Sequence, residues 1–500
     1  MGLDLSSIHP MSWNWGVIDA VTYLLAWVIF IAALFVVPRN RKPGEATAWL
    51  MLIFLLPFLG FLVYLVFGSP KLSKRRRARQ HSMSGSIQER VAAMQQRPDL
   101  GALVSPPIAA RYRPFIALCE KLGGMPAFAG NTVELLADYE VAVAAIVQAI
   151  DGAKWYVHVE YFMFADDTTG SPVVDALIRA QERGVTCRVL IDHLGNTQFN
   201  KPILARLRAG HVAVQEMLPV RIFDNEWSRF DLRNHRKIVV VDGKIGFTGS
   251  QNLIENHYHK KANIKQGLHY IELVARVSGP AVGQLDAPFR TDWYSETNVL
   301  LSGTEGPERM AAPAATGEVL CQVLPSGPGF DHDNNLSLFV ALLHAAQERI
   351  VIANPYFVPD DSLMLAITSA ALRGVDVTLI VSEIGDQFMV YHAQRSFYEE
   401  LLRAGVKIYR YKSPVLLHAK HLSIDDDIAV VGSSNLDLRS FQLLLEVTLI
   451  CYDKGVVAEM QKVFADYLRH STRLHAGEWE TRPVAVKFFD NLMRLTSALQ

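Results

Sequence analysis

The sequence predicts an α/β protein in which two similar domains, each a mixed sheet flanked by helices, are related by a pseudo-twofold axis and follow an N-terminal hydrophobic helical hairpin. Three observations support this prediction. Two uncharged segments stand near the start of the chain, a helix-to-strand pattern occurs twice, and one polar motif recurs with identical spacing. A repeat of this length indicates two copies of one structural unit. The repeated segments are 154–162 with 349–357, 176–192 with 366–383, and 235–252 with 418–435.

The hydrophobic hairpin is predicted over residues 17–67, with helices at about 17–37 and 46–67. Residues 20–37 and 46–67 carry no charge, and about 20 apolar residues cross a hydrocarbon core as a helix. The first sixteen residues contain no Lys or Arg, which favours a retained anchor over a cleaved signal peptide. The basic run at 71–79 predicts a cytoplasmic location for the rest of the chain, with a re-entrant hairpin as the alternative to two crossings. An equal alternative is that this run binds anionic lipid headgroups.

The repeated α/β pattern is clearest where a helix leads into a strand. In 176–192 the period of the apolar residues changes from helical to strand-like near Gly184, and in 366–383 it does so near Gly374. A short apolar strand ending in Tyr-Phe precedes each of these helices. The two copies therefore predict two domains with the same order of elements.

The predicted division of the chain follows from these features. Residues 298–318 are rich in Gly, Pro and Ala, which is typical of a linker. The predicted segments are 1–16 (N-terminal segment), 17–67 (membrane hairpin), 68–127 (basic linker and pre-domain segment), 128–297 (first domain), 298–318 (linker) and 319–500 (second domain).

Composition excludes some classes of function. A chain of 500 residues corresponds to about two to four domains. Its net charge of −1 gives no global attraction to nucleic acid or membrane. The cysteines are scattered without a Cys-x-x-Cys pair, which indicates neither a disulfide framework nor a zinc site. They are Cys119, Cys187, Cys321 and Cys451.

The repeated motif is a His-x-Lys-x4-Asp sequence followed, after six residues, by Gly-Ser-x-Asn. His and Lys two positions apart on a strand point to the same face. A neutral imidazole can attack phosphorus, while an ammonium group and amide donors stabilise the phosphate oxygens. Two copies supply a nucleophile on one side of phosphorus and an acid on the other, so the pKa values of the two histidines should differ. The motif residues are His235, Lys237, Asp242, Ser250 and Asn252 in the first copy and His418, Lys420, Asp425, Ser433 and Asn435 in the second.

An ordinary structural origin is the alternative for each part of this motif. A single His-x-Lys pair is more often a solvated strand face, and a lone Gly-Ser after a strand is usually a turn. Two full copies in register with an internal repeat leave that alternative little weight, although a motif stays a hypothesis until its geometry is known.

These residues resemble the signature of the phospholipase D superfamily, and nearly the whole chain resembles the bacterial cardiolipin synthases within it. Besides the His-x-Lys-x4-Asp sequences, the resemblance rests on the paired hydrophobic segments, the basic run after Gly68, NPYFVPDD (354–361) and GSSNLDLRSF (432–441). It implies two phospholipase D-like α/β domains that share one active site.

The resemblance also implies roles for the motif residues. One histidine forms a covalent phosphohistidine and the other protonates the leaving alcohol; by analogy His235 is the nucleophile and His418 the acid. Asp242 and Asp425 belong to the catalytic motifs but look structural. Phosphate contacts are implied for Lys237, Lys420, Asn252 and Asn435, with assistance from Ser250 and Ser433.

Family members further place an acid after the Gly-Ser strand to orient the catalytic histidine. Glu446 and its counterpart Glu272 occupy such positions, and either can hydrogen-bond the far ring nitrogen and fix the tautomer. Two strand-edge glutamates that face water are the alternative. The chain departs from the family pattern at Leu444, in the strand that carries Tyr270, Glu272 and Val274, and in the basic segment 257–266, which bears on the subtype and on the lipids it accepts.

The reaction implied by the resemblance is transphosphatidylation, in which two phosphatidylglycerol molecules give cardiolipin and glycerol. The alternatives are hydrolysis by water, transfer to another alcohol and, less favoured, a nuclease or a non-enzymatic membrane scaffold. No metal or other cofactor is expected. The expected partners are phosphatidylglycerol and the membrane, and not nucleic acid. The expected location is the inner (cytoplasmic) cell membrane, multi-pass, with catalytic domains in the cytoplasm.

Overall fold

The structure is a computed structural model that divides into two units, Met1–Lys71 and Leu72–Gln500. Of the predicted segments, residues 1–11 and the central part of the linker, 302–313, lie outside the described residues. The described residues are 12–39, 41–97, 100–104, 106–195, 197–220, 229–301 and 314–497.

The first unit consists of apolar helices, and it corrects one prediction. The single helix predicted over 46–67 is wrong, because the chain leaves the helical conformation at Leu56 (φ −134°, ψ 73°). Pro57 causes the break, since its ring removes a backbone donor and disfavours a helical residue before it. Among the described residues, Asp19–Val36 is the one stretch long and apolar enough to cross a membrane. The helices are α1 (Ser12–Val36), α2 (Pro43–Leu55) and α3 (Pro57–Phe67).

The second unit begins with helices where the sequence analysis placed a basic linker. Arg76, within the basic run 71–79, is buried and forms an ion pair with Glu296. Arg79 donates a hydrogen bond to the carbonyl of Ser295 (2.7 Å). Part of the basic run therefore contacts the protein itself. The helices are α4 (Lys74–Gln95), α5 (Gly101–Val104) and α6 (Arg113–Gly123).

The first α/β half contributes seven strands to the main sheet, in the order β1-β9-β7-β6-β2-β3-β4. β2, β3 and β4 are parallel, and the other neighbours are antiparallel. The strands are β1 (Phe128–Leu136), β2 (Tyr156–Tyr161), β3 (Thr186–Asp192), β4 (Ala213–Met217), β5 (Arg233–Asn234), β6 (Ile238–Val241), β7 (Ile245–Gly249), β8 (His269–Ile271) and β9 (Val274–Ser278). The helices are α7 (Tyr139–Asp151), α8 (Ser171–Glu182), α9 (Asn200–Ala209), α10 (Lys261–Gln266) and α11 (Val282–Thr297).

The second half repeats this order as β10-β19-β17-β16-β11-β13-β14 and adds β20 at the edge. The strands are β10 (Val319–Ser326), β11 (Arg349–Ala353), β12 (Phe357–Val358), β13 (Asp376–Ser382), β14 (Lys407–Tyr411), β15 (Val415–Leu417), β16 (His421–Ile424), β17 (Ile428–Gly432), β18 (Leu436–Asp437), β19 (Leu444–Tyr452) and β20 (Ser471–Arg473). The helices are α12 (Asn334–Ala345), α13 (Asp361–Leu372), α14 (Phe388–Arg403), α15 (Leu438–Gln442), α16 (Lys454–Arg469), α17 (Ala476–Glu480) and α18 (Val484–Arg494).

The two halves join into one continuous sheet, because β1 pairs antiparallel with β10 (Phe128 opposite Cys321). Outward from this junction, each half presents the same strands in the same order and direction. The predicted α/β repeat is therefore confirmed. A mixed sheet with helices on its faces also fits β11, which is apolar and buried from Ile350 to Ala353, and β2, which is buried along its whole length.

The matched turns between helix and strand show why the repeat was visible in the sequence. Gly184 (φ 86°) connects α8 to β3, and Gly374 (φ 93°) connects α13 to β13. Both adopt the left-handed conformation that residues with a Cβ atom avoid. The same backbone requirement therefore recurs at the same place in each half.

Candidate active site

The two motif histidines lie where the two halves exchange strands. β5, which precedes His235, pairs with β19 of the second half, and the N–H of His235 donates to the carbonyl of Leu445 (2.8 Å). β15, which precedes His418, pairs with β8 of the first half, and the N–H of His418 donates to Ile271 (2.9 Å). Each histidine is thus held by the backbone of the opposite half.

Each imidazole also contacts a buried glutamate of the opposite half. The Nδ1–H of His235 faces both carboxylate oxygens of Glu446 (2.9 and 3.1 Å), and Nδ1 of His418 lies 2.6 Å from Glu272. Both glutamates are at most 2% exposed, so they do not face water. Donation from Nδ1 leaves Nε2 of His235 as the acceptor of its ring, whereas Nε2 of His418 lies 3.2 Å from the Lys420 ammonium.

Burial and charge set the ionisation of these four groups. Burial lowers the pKa of His235 to about 4 against the opposing attraction of Glu446, and burial likewise lowers the pKa of His418. Burial opposes ionisation of Glu446 and Glu272, but the facing histidines and lysines hold the pKa of each carboxyl below its ordinary value. Two neutral imidazoles that each face a carboxylate therefore describe the resting site.

Each motif lysine contacts the backbone of the histidine two residues before it. The ammonium groups of Lys237 and Lys420 donate to the carbonyls of His235 and His418, each at 2.7 Å. Both lysines are buried, which lowers the pKa of Lys237 to about 7 and that of Lys420 to about 8. Two buried cations with weakened hold on their protons are suited to an incoming anion, which would restore their charge.

The motif serines lie next to the glutamates. The hydroxyl of Ser433 donates to Glu446, and it accepts the N–H of Val447 (3.1 Å). The hydroxyl of Ser250 accepts the N–H of Leu273 (3.0 Å), the residue after Glu272. These contacts position the glutamates, and the predicted assistance to the phosphate stays a prediction.

The motif asparagines occupy matching positions but have different neighbours. The amide of Asn252 donates to the Tyr258 hydroxyl (3.0 Å), and its oxygen accepts the N–H of Met163 (3.3 Å). The side-chain oxygen of Asn435 is buried with no hydrogen-bond partner in the part of the chain that the structure describes. A half-rotation of this amide would present its NH2 group in place of the unpaired oxygen.

The motif aspartates lie at the far ends of β6 and β16 from the histidines. Asp242 (φ 54°) accepts the N–H groups of Lys154, Trp155 and Tyr156 (2.8–2.9 Å). Asp425 (φ 49°) accepts the corresponding three N–H groups before and at the start of β11. Both aspartates thus hold the loop that leads into the next strand.

The structure adds residues around His418 that the sequence analysis did not assign. The rings of Tyr258, Tyr270 and Tyr356 lie 5.3–6.0 Å from the His418 ring. Asp386 accepts hydrogen bonds from Tyr270 (2.7 Å) and Tyr356 (2.8 Å). The departure at Tyr270 was the sequence signal for this cluster. Asp386 gave no signal, because only the fold brings it to the site.

The surroundings of His235 are simpler. Its ring contacts the edge of Phe162 (5.2 Å between ring centres), and the Lys237 ammonium lies 5.6 Å from the same ring. Phe162 follows directly after β2 and supplies an apolar wall. Among the described residues, Glu255, His257 and His259 bring potential metal-ligand atoms within 4.8 Å of one another, whereas the sequence predicts no metal site.

Comparison with known proteins agrees with this geometry. The family described as "Cardiolipin synthase, PLD-like domain" matches residues 146–293 and 339–468, and "Phospholipase_D-nuclease N-terminal" matches 25–69. Cardiolipin synthase A of Yersinia pestis and that of Serratia proteamaculans are each 34% identical over 464 residues, which cover 92% of this chain and 94% of the relative. The phosphatidylserine synthase structure from Haemophilus influenzae Rd KW20 shares the fold, with a TM-score of 0.57 and 16% identity over 77% of this chain and 100% of that chain.

Proposed function

Because the chain belongs to the cardiolipin synthase family of phospholipase D-like proteins, we propose that it transfers a phosphatidyl group from one phosphatidylglycerol to another, which yields cardiolipin and glycerol. The observation that carries this proposal is the crossed arrangement of the site. Each histidine is oriented by a glutamate of the other half, so neither half is complete alone.

The first step breaks the bond between phosphorus and the glycerol headgroup. Nε2 of His235 attacks phosphorus while Glu446 holds Nδ1–H and stabilises the positive charge that develops on the ring. His418, protonated when the anionic substrate binds, gives its proton to the departing glycerol oxygen. The products of this step are glycerol and a phosphatidyl group bonded to His235.

The second step repeats the chemistry in reverse with a different alcohol. His418, now neutral, removes the proton from the glycerol hydroxyl of a second phosphatidylglycerol, and that oxygen attacks phosphorus. The P–N bond breaks and His235 is regenerated. His418 keeps the proton that it took from the hydroxyl and is ready for the next cycle. One phosphodiester is made for each one broken, so no other energy source is needed.

The assignment of the two histidines rests on their charged neighbours. His418 is influenced by two carboxylates, Glu272 and Asp386, that favour its protonated form. At His235 Glu446 favours protonation and both motif lysines oppose it, whereas at His418 Lys420 opposes it. A neutral His235 suits the nucleophile, and a His418 that is more easily protonated suits the acid and base.

The phosphate itself is bound by the remaining motif residues. Lys237 and Lys420 neutralise the non-bridging oxygens, and a bound phosphodiester raises their lowered pKa values by its negative charge. Asn252 and Asn435 donate amide hydrogen bonds to the same oxygens. Ser250 and Ser433 contribute through the glutamates that they hold.

The N-terminal helices anchor this chemistry at its substrate. α1 carries the stretch long enough to cross a bilayer, and the basic run that follows α3 favours a cytoplasmic location for the catalytic unit. We therefore place the enzyme in the cytoplasmic membrane with its substrates in the same bilayer. A multi-pass topology and the absence of nucleic acid as a partner stay predictions.

The proposal is tested with purified full-length protein in mixed detergent micelles that contain phosphatidylglycerol labelled in its headgroup and in its acyl chains. We expect labelled cardiolipin and free labelled glycerol in equal amounts. Phosphatidic acid as the sole lipid product would instead establish hydrolysis, and no turnover of either label would contradict an enzymatic function. Adding a large excess of another primary alcohol tests whether the acceptor site selects the glycerol headgroup.

A further inference from the structure

The last helix of the chain, α18, turns its apolar side toward solvent. Large apolar residues recur along it at intervals of three or four positions, which places them on one side of a helix. A surface helix normally packs such a stripe against the core. Here these side chains are 41–81% exposed, so no described residue covers the stripe. Its members are Val484, Phe488, Leu492 and, just beyond the helix end, Leu495.

The opposite side of α18 is held in the protein by a buried carboxylate. Asp490 is fully buried, accepts a hydrogen bond from Arg482 (2.6 Å) and lies 2.7 Å from Nδ1 of His392 on α14. Turning the apolar stripe inward would break these contacts and leave a buried charge without partners, which is strongly destabilising. The outward direction of the stripe is therefore fixed by the fold.

The apolar surface continues to the active site through the start of α14. The exposed ring of Phe388 lies 5.7 Å from the ring of Phe489 on α18. Asp386, two residues before Phe388, accepts a hydrogen bond from Tyr356 (2.8 Å), whose ring is 5.8 Å from that of His418. The exposed apolar residues thus begin directly beside the tyrosine cluster around His418.

A basic segment lies on the other side of Asp386. The Lys260 ammonium is 2.7 Å from Asp386, and Lys261 and Lys265 on α10 add two exposed positive charges. Ile264, between them, is also exposed. Lysines next to exposed apolar side chains are typical of a surface that binds an anionic membrane interface.

We propose that the α18 patch, together with these lysines, docks on an anionic lipid bilayer. Its apolar side chains enter the boundary between headgroups and acyl chains by about 5–10 Å, while the lysines contact lipid phosphates. A second copy of the chain is a less suitable occupant, because two such faces would bring like charges together. The α18 patch consists of Phe388, Met389, Val484, Phe488, Leu492 and Leu495.

Docking in this position has a consequence for the reaction. A lipid headgroup can reach His418 while its acyl chains stay in the bilayer, since the α18 patch adjoins the cluster around that histidine. This consequence rests on the proposed function, whereas the docking itself does not.

The proposal is tested by fluorescence of full-length protein in vesicles of phosphatidylcholine and phosphatidylglycerol. F488C is labelled with an environment-sensitive dye, and the native cysteines are buried and so do not compete. We expect blue-shifted emission, and stronger quenching by lipids with a nitroxide near the headgroup end of the acyl chain than by lipids with one at the chain end. Replacing phosphatidylglycerol by phosphatidylcholine should reduce the quenching.

L372C is the matched control. Leu372 is 74% exposed at the end of α13, and the next residue, Arg373, donates to Ala346 (3.2 Å), beside the loop that Asp425 holds far from His418. A dye at position 372 should keep the emission of a group in water. Equal quenching at positions 372 and 488, or none at 488, would overturn the proposal. Excimer emission from pyrene at position 488 without nitroxide quenching would show that a second copy covers the face, and would overturn it as well.

An activity measurement separates docking from folding and from chemistry. F488D should slow cardiolipin formation in vesicles by about tenfold or more, the expected effect of losing one buried aromatic side chain. Nitrophenol release from a soluble short-chain phosphatidyl ester and the thermal unfolding midpoint should stay unchanged, as both should for L372D. Equal slowing on the vesicles and on the soluble ester would contradict docking. Absence of dye quenching with normal cardiolipin formation would reject this inference and leave the proposed function intact, and quenching without turnover would do the reverse.

Discussion

The two halves of the active site have the same backbone and different surroundings. In each half a short strand before the histidine pairs with the other half, and a buried glutamate of that other half faces Nδ1. His235, however, packs against Phe162, whereas His418 is ringed by tyrosines, two of which donate to Asp386.

This difference shows how a duplicated unit can perform two opposite tasks. The repeated part positions two imidazoles whose Nδ1 atoms each face a buried glutamate of the opposite half, which fixes the ring orientation that phosphoryl transfer through histidine requires. The part that differs adds the carboxylate of Asp386, which together with Glu272 opposes the lowering of the His418 pKa by burial. In the proposed mechanism, symmetry supplies the geometry, and departures from symmetry distinguish the roles of the two histidines.

The largest effect is expected from removing either histidine. H235A and H418A should each lower cardiolipin formation by at least about 10³-fold, because one loses the nucleophile and the other the acid. A phosphatidyl ester of p-nitrophenol separates them, since this leaving group departs without protonation. H418A should then release about one equivalent of nitrophenol per chain and stop, while H235A releases none above background.

The outcome can contradict the assignment in a simple way. If H235A gives the burst of nitrophenol and H418A does not, the two roles are exchanged. H470A, which removes an exposed histidine, serves as the control and should turn over both substrates at the wild-type rate.

The next effect tests the crossed glutamates. E446Q and E272Q keep the side-chain shape but lose the negative charge, and each should slow cardiolipin formation by about 10²- to 10⁴-fold. On the nitrophenyl ester, E272Q should recover a near-normal first step, because its partner His418 is not needed there. E446Q should stay impaired on both esters; equal recovery of the two variants would show that the glutamates do not act through separate histidines.

The third prediction concerns pH and the buried lysines. The first step on the nitrophenyl ester needs neutral His235 and charged lysines, so the rate at low substrate should fall as pH rises through about 7 to 8, the pKa values of Lys237 and Lys420. It should fall on the acid side only near pH 4, where His235 becomes protonated. K237R and K420R stay charged at high pH, so their alkaline decline should shift upward even though their rates are lower. An alkaline decline that both variants leave in place would rule out the lysines as its source.

The smallest effect is expected for the tyrosines that distinguish the two sides. Y356F removes one hydrogen bond to Asp386, which is worth about 1 kcal/mol and so lowers cardiolipin formation by less than about tenfold. Its counterpart in the repeat, Tyr161, does not contact Asp386 in the described structure, so Y161F is the matched control for loss of a buried hydroxyl. If Y161F lowered the rate of cardiolipin formation more than Y356F does, the tyrosine cluster would have no specific role at His418.

The sequence predicted those parts of this site that depend on the local spacing of residues. His235 and Lys237 share a strand face because side chains alternate, and the repeat identified the second pair in the same way. It could not show which glutamate faces which histidine, since the crossing of β5 and β15 to the opposite halves depends on the docked fold. Asp386 was missed for the same reason. The break at Pro57 did not follow from the length and lack of charge that predict one helix over 46–67, because the ring of Pro57 acts on the backbone of the residue before it.

The central claim is that His235 carries the phosphatidyl group, and one measurement tests it most directly. H418A is mixed with the nitrophenyl ester labelled in its phosphate, denatured at alkaline pH to preserve the P–N bond, digested and analysed by mass spectrometry. The account predicts label on the peptide that contains His235 and no label in a parallel H235A sample. Label on another residue, or a full nitrophenol burst with no covalent label, would contradict it.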